Sequence, residues 1–138
     1  METILIDASP LYSINNPNDQ RYKEAQELLS KVQEEKIILL TTDYIIDEAT
    51  TTLLTRQKGG YRFAVHLLEW IFRPESNIKI EWISQEVFLK AKEIFKRFNK
   101  DKEWSFTDCT SYVVMKELKI NTAFTFDTHF TQMGYKLL

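Results

Sequence analysis

The sequence predicts a three-layer α/β/α domain with a central, mostly parallel sheet. Three observations predict it. Short apolar runs rich in β-branched residues alternate with amphipathic helical stretches along nearly the whole chain, the pattern of strands joined by helical crossovers. Gly and Pro number only 3 each, too few turn residues for an all-β sandwich. The 138 residues, 43% hydrophobic and 28% charged, suit one domain around one core. No repeat, low-complexity stretch or linker divides the chain, so residues 1–138 are read as a single domain.

Thr3–Ile6 is a buried-strand candidate that ends at Asp7. Pro10 opens a short helix, and Asn15-Asn16-Pro17-Asn18 breaks it. Asn18 is placed to cap a helix from about Asp19 to Glu35, in which Tyr22, Ala25, Leu28, Leu29 and Val32 share helical spacing. Ile37–Leu40 is a second buried strand. Thr42 or Asp43 caps the next helix, which carries Ile45, Ile46, Ala49, Leu53 and Leu54 and ends at Gly59-Gly60. An apolar helix runs from Tyr61 to about Phe72 and stops at Pro74. Ile78–Ile83 alternates apolar and polar residues, as a strand near a sheet edge does. Ser84 caps a helix with Val87, Ala91, Ile94 and Phe98 on one side. The last elements are a helix from about Phe106 to Leu118, a strand from Thr122 to Phe126 ending at Asp127, and a short strand from Tyr135 to Leu138.

The single cysteine, Cys109, excludes an internal disulfide and a Cys-based zinc site, and is read as a small buried residue. The N-terminus has no basic region followed by an apolar run of signal-peptide length, and no stretch approaches the roughly 20 apolar residues of a membrane span. A cytoplasmic protein with no membrane association is expected. The net charge of −2 gives no overall sign of nucleic-acid binding. Its distribution is less even. Lys90, Lys92, Lys96, Arg97, Lys100 and Lys102 crowd one segment, and Arg56, Lys58 and Arg62 form a smaller group. Each fits a solvated helix face or a phosphate-facing surface.

Ligands of open parallel sheets bind beyond the carboxyl ends of the strands. Asp7 and Asp127 both sit at such ends. A carboxylate following a buried strand must be solvated, paired or ligated. One alone reads as a turn residue, but the pair in one sheet points to a shared site. Asp108 lies in Ser105-Phe106-Thr107-Asp108, which has the form of a helix capping box. A catalytic role is compatible with that cap only if the carboxylate also faces the cleft. Asp47 and Glu48 flank the apolar stripe of their helix on opposite sides, so periodicity leaves both open. His66 reads as a helix residue at a core edge, and His129 as structural or loop-orienting.

Several carboxylates without a His or Cys cluster suit a hard divalent cation, since Mg²⁺ takes oxygen ligands. Such an ion can polarise a phosphoryl oxygen, activate water and align the attacking and leaving groups. Without it, two carboxylates 4 Å apart repel by roughly 4 kcal/mol at an effective dielectric of 20. Gly-rich phosphate loops, a G-x-S-x-G elbow and H-E-x-x-H are all missing.

Ile4-Leu5-Ile6-Asp7-Ala8-Ser9 resembles the opening of PIN domains, and in particular of VapC-like toxins. Ser105-Phe106-Thr107-Asp108-Cys109 resembles their third acidic position. Phe124-Thr125-Phe126-Asp127-Thr128-His129-Phe130, continued by Gly134-Tyr135, resembles their closing strand and acidic loop. Glu48 in Asp47-Glu48-Ala49-Thr50-Thr51-Thr52 matches their helix-borne Glu, and the resemblance thereby prefers Glu48 to Asp47. It implies a Mg²⁺- or Mn²⁺-dependent endoribonuclease, the toxin of a type II toxin–antitoxin pair. Its implied partners are RNA, a cognate antitoxin and a second copy in a homodimer. Asp7, Glu48, Asp108 and Asp127 become the metal-site acids, with Ser9 and Thr125 as supporting hydrogen-bond residues. RNA would lie along the cleft, against the Lys90–Lys102 segment. Ala8 departs from the Thr often found there, at the cost of a minor hydrogen bond.

Two other functions were weighed. A catalytically silent PIN scaffold that binds RNA or protein would not need the full set of acids. A Mg²⁺-dependent phosphatase on another α/β fold, working through an aspartyl nucleophile, would show Asp-x-Asp after the first strand, where this chain has Asp7-Ala8-Ser9.

Overall fold

A computed structural model describes all 138 residues. β1 (Thr3–Ile6) is the middle strand of a five-stranded sheet. On one side of it lie β2 (Ile38–Thr42) and then β3 (Ile78–Glu81); on the other lie β4 (Thr122–Phe124) and then β5 (Lys136–Leu137). Every pairing is parallel, and Leu5 stands opposite both Leu40 and Ala123. Helices cover both faces of a parallel sheet, so its central strand has no wet side. Ile4, Leu5 and Ile6 are accordingly all fully buried. In β3 the exposed Lys79 falls between half-buried isoleucines, as the alternation predicts for an edge.

The chain fills the β2–β3 side first and then returns across β1 to build β4. The strand order therefore reverses between β1 and β4, and the cleft beyond their carboxyl ends is where such sheets bind ligands. Asp7 and Asp127 follow these two strands. The helices α1 (Ala8–Ile14), α3 (Asp43–Thr55) and α4 (Gly60–Phe72) pack together, with α2 (Tyr22–Glu34) against α1. Gly60 lets α4 cross α3 closely, since a Cβ there would lie 2.0 Å from the Leu53 carbonyl oxygen. α5 (Gln85–Phe98) packs along α6 (Phe106–Leu118), enclosing a small second core of Ala91, Trp104, Cys109 and Val113.

Several boundaries move for identifiable reasons. α1 begins at Ala8 rather than Pro10, with Asp7 at the N-cap position but making no side-chain capping hydrogen bond. α2 begins at Tyr22 rather than Asp19. The Asp19 carboxylate instead accepts hydrogen bonds from Ser13 Oγ (2.8 Å) and the Arg21 N–H (3.0 Å), closing a turn. β4 stops at Phe124 because the Phe126 N–H leaves the ladder and donates to Ser9 Oγ at 3.0 Å. α7 (His129–Gln132), of 4 residues, is too short to carry a periodic signal and was not expected. Thr42 and Ser84 cap α3 and α5 as predicted, accepting from the Ile45 and Val87 N–H groups. No helix is long and apolar enough to cross a membrane.

Candidate active site

Asp7, Glu48, Asp108 and Asp127 line one cleft of about 470 Å³ at the carboxyl edge of the sheet, together with Ser9, Ser105, Arg21, Arg56 and His129. Four acids remote in the chain thus share a wall. Each arrives by its own local route.

Asp7 ends β1 and is only 4% exposed. Thr125, beyond the end of β4, donates its hydroxyl to Asp7 Oδ2 at 2.8 Å. The other oxygen, Oδ1, is buried with no hydrogen-bond partner at all. Burial pushes the Asp7 carboxyl up to about 7. The nearby charges of Asp108 and Glu48 push the same way, against the Ala8 N–H and the Thr125 hydroxyl. A buried, unpartnered carboxylate oxygen costs several kcal/mol when charged unless something cationic meets it.

Asp108 is 5% exposed and completes the capping box foreseen at Ser105. Its Oδ2 accepts the Ser105 N–H at 3.1 Å, while Ser105 Oγ accepts the Asp108 N–H at 3.0 Å. The cap and the cleft position coexist, because the same Oδ2 also lies 2.8 Å from His129 Nδ1. Asp127 is held by the loop after β4: its N–H donates to Thr125 Oγ1 at 3.0 Å, and its Oδ1 accepts the His129 N–H at 2.9 Å. Thr125 therefore ties Asp7 and Asp127 together through one hydroxyl.

Glu48 reaches the cleft mouth from α3, and Asp47 does not line it. Partial desolvation raises the Glu48 carboxyl first, then Asp108 and Asp127, with Arg56 opposing. Glu48 thus feels the charges of Asp108 and Asp127 across the cleft.

His129 is the residue the sequence undervalued. Ligand atoms of Asp108, Asp127 and His129 all fall within 4.8 Å of one another, a set that could hold a metal ion. Desolvation opposes protonation of the His129 imidazole. The hydrogen bond to Asp108 and the charges of Asp127, Asp108 and Asp7 outweigh it and raise the pKa overall. The only sequence signal was its place two residues after Asp127, where the Asp127 carboxylate can accept its N–H and start the α7 turn. Carboxylate oxygens with one imidazole are donors that a divalent cation accepts, and the orphaned Asp7 Oδ1 beside them fits the same demand. His66, by contrast, is an exposed helix residue with Nδ1 2.7 Å from Asn15 Oδ1, outside this cleft. None of Lys90, Lys92, Lys96, Arg97, Lys100 and Lys102 lines the cleft; its cations are Arg21 and Arg56.

Fold and site together define an α/β protein with a carboxylate-lined cleft at a sheet switch point, suited to a divalent cation. The chain belongs to the PIN domain family, whose model matches residues 4–135. It is 29% identical over 132 residues to the 23S rRNA-specific endonuclease VapC20 of Mycobacterium tuberculosis, covering 96% of this chain and 95% of that protein. It is 31% identical over 93 residues to a VapC ribonuclease of Archaeoglobus fulgidus, covering 67% of this chain and 56% of that protein. The crystal structure of M. tuberculosis VapC20, described as a sarcin–ricin-loop-cleaving toxin, superposes with a TM-score of 0.82 at 27% identity, over 96% of this chain and 95% of that one. FitAcB from Neisseria gonorrhoeae shares the fold, with a TM-score of 0.65 at 15% identity, over 98% of this chain and 96% of that chain.

Proposed function

We propose that this protein is a divalent-metal-dependent endoribonuclease and the toxin of a type II toxin–antitoxin pair. The carrying observation is the convergence of Asp7, Glu48, Asp108 and Asp127 on one cleft at the switch point. The VapC relatives, which are ribonucleases by name, support the same reading.

Asp7, through its unpartnered Oδ1, and Asp108 would hold the ion, with Asp127 and His129 beside them and Glu48 as the acid at the mouth. Mg²⁺ or Mn²⁺ is the ion proposed, and it supplies polarisation of the scissile phosphoryl group and activation of water. The protein's own part is placement. Thr125 fixes the Asp7 carboxylate and, through the Asp127 N–H, the loop that carries Asp127. Ser9 pins the Phe126 N–H, so the acidic loop stays folded over the end of β1. Ser105 holds the backbone entry to Asp108. Glu48, at the cleft mouth with its carboxyl raised above its ordinary value by partial burial, is placed to accept a proton from the attacking water.

The VapC20 name points to a first substrate, an RNA hairpin of the sarcin–ricin loop. The purified protein is incubated with that hairpin and with an unrelated RNA in Mg²⁺ or Mn²⁺, beside Asp7→Asn and Asp108→Asn. Metal-dependent cutting that both substitutions abolish is expected; cutting that survives both rules this site out. Family likeness further supports a cytoplasmic homodimer that binds a cognate antitoxin. Light scattering on the purified chain tests the dimer.

A further inference from the structure

The cleft has a charge problem that its acids create. Its walls carry Asp7, Asp19, Glu48, Glu103, Asp108 and Asp127. RNA is a polyanion whose affinity for proteins comes mainly from phosphate neutralisation by Lys and Arg. A single divalent ion offsets two of these charges, so the remaining acids still repel the strand. The lysine-rich Lys90–Lys102 segment does not answer this, since none of its cations lines the cleft.

The two that do are Arg21 and Arg56. They come from separate elements, Arg21 from the turn before α2 and Arg56 from the end of α3. Arg56 caps the C-terminal end of α3, the helix that follows β2, and shares the cleft wall with Glu48 and Thr52 of the same helix. It makes no salt bridge with any carboxylate within 4 Å, and its charge reaches Glu48. Arg21 reaches the cleft from the segment between α1 and α2. Its guanidinium lies 4.7 Å over the ring of Phe126, in the loop after β4. Its backbone is fixed by the Asp19 carboxylate, which Ser13 also grips. That turn ends where α2 begins, with Arg21 at its N-cap position. The only acid paired with it is Glu24, at 3.4 Å in an exposed contact. Such a contact contributes little and yields easily to a phosphate, which Arg can bind with two parallel N–H groups.

We propose that Arg21 and Arg56 are the phosphate-binding residues of this cleft, gripping the RNA backbone on either side of the scissile phosphate. They are positioning residues, and they fix the strand's path from the β4 loop across Asp7 to the end of α3, away from α5. This inference rests on the ribonuclease reading above.

The test is cleavage kinetics on a fluorescein-labelled sarcin–ricin hairpin in Mg²⁺, across a series of NaCl concentrations. Arg21→Ala, Arg56→Ala, the double Arg→Lys variant and a Lys96→Ala/Lys100→Ala control are compared with wild type. Each Arg→Ala raises KM by about tenfold with a smaller change in kcat. Each also flattens the slope of log(kcat/KM) against log[salt] by about 0.7–0.9, the loss of one phosphate contact. The Arg→Lys variant keeps the slope, and the Mg²⁺-induced gain in Tm is unchanged in every variant, a readout separate from catalysis. Wild-type cleavage with KM and slope intact in both Arg→Ala proteins overturns the proposal, as does a loss confined to the α5 control. A wild type that cuts no RNA in Mg²⁺, yet still gains Tm from it, overturns the ribonuclease reading instead, and the phosphate-binding role of Arg21 and Arg56 falls with it.

Discussion

His129 Nδ1 lies 2.8 Å from Asp108 Oδ2, the same oxygen that accepts the Ser105 N–H at 3.1 Å. One carboxylate oxygen thus starts helix α6 and holds the imidazole of another element. Asp127 Oδ2 lies 3.3 Å from the same Nδ1, so one ring nitrogen faces two acids. A protonated His129 partly fills the role of a cation among them, so metal uptake releases a proton. His129→Ala should lower both Mn²⁺ affinity and cleavage by about 10–100-fold, the usual loss when a group orienting or completing a metal site goes. A Mn²⁺ titration followed by Tm, with cleavage measured alongside, checks this; unchanged affinity in the variant would leave the ring outside the metal site.

Asp7 sets a pH dependence of stability. Its carboxyl titrates near 3.8 in the unfolded chain and about 7 in the fold, chiefly through burial. The folded state therefore binds more protons than the unfolded one across that window. The stability that protonated Asp7 contributes is complete below about 4 and is lost as pH rises through about 7. The metal-free protein should accordingly melt at lower temperature at pH 8 than at pH 5, and Mg²⁺ should flatten the trend. Asp7→Asn should raise the metal-free Tm at pH 8 by a few degrees, in line with about 1 kcal/mol or more of relieved desolvation, while abolishing cleavage. A Tm in the variant that equals wild type across the range would contradict a charged, buried Asp7.

The alternation of apolar runs with helical stretches was enough to place the sheet, and the strand-end aspartates followed from it. The capping box at Ser105 and Asp108 was legible because both halves are local in sequence. What it could not show is that Asp108 also faces His129, a contact 21 residues away. Asp47 and Glu48 could not be separated by periodicity because the choice is made by α1 and α6 packing beside α3, and only the family resemblance pointed to Glu48. The basic α5 segment drew attention by its density, yet density in sequence does not say which wall a helix faces. Arg21 draws none, since it sits in a turn before α2, and Arg56 stands out only within the small Arg56, Lys58 and Arg62 group, which fits a solvated face as well as a phosphate-facing one.

The Asp47–Glu48 pair offers a sharp internal control. Both substitutions remove one charge from the same helix turn, and Asp47 is exposed outside the cleft. Glu48→Gln should lower kcat by about 100-fold or more, as loss of a general base does, with KM little changed. Asp47→Asn should leave both within about twofold. Equal effects from the two would mean that helix charge, not the position of Glu48, governs the rate.

Thr125 is the smallest change with the most specific consequence. Its hydroxyl donates to Asp7 Oδ2 at 2.8 Å and accepts the Asp127 N–H at 3.0 Å. The donated bond stabilises the Asp7 carboxylate and so lowers its pKa against burial. Thr125→Val keeps the shape and removes both bonds. A hydrogen bond to a charged group contributes about 1.5–3 kcal/mol, which corresponds to a pKa change of about one to two units. Asp7 should then hold its proton to higher pH, and the acid limb of the kcat/KM profile, which reports the free enzyme, should move up by at least about one unit. Thr125→Ser should restore the wild-type limb. A uniform drop in rate at every pH, with the limb unmoved, would reduce Thr125 to a loop anchor for Asp127 and detach it from the protonation of Asp7.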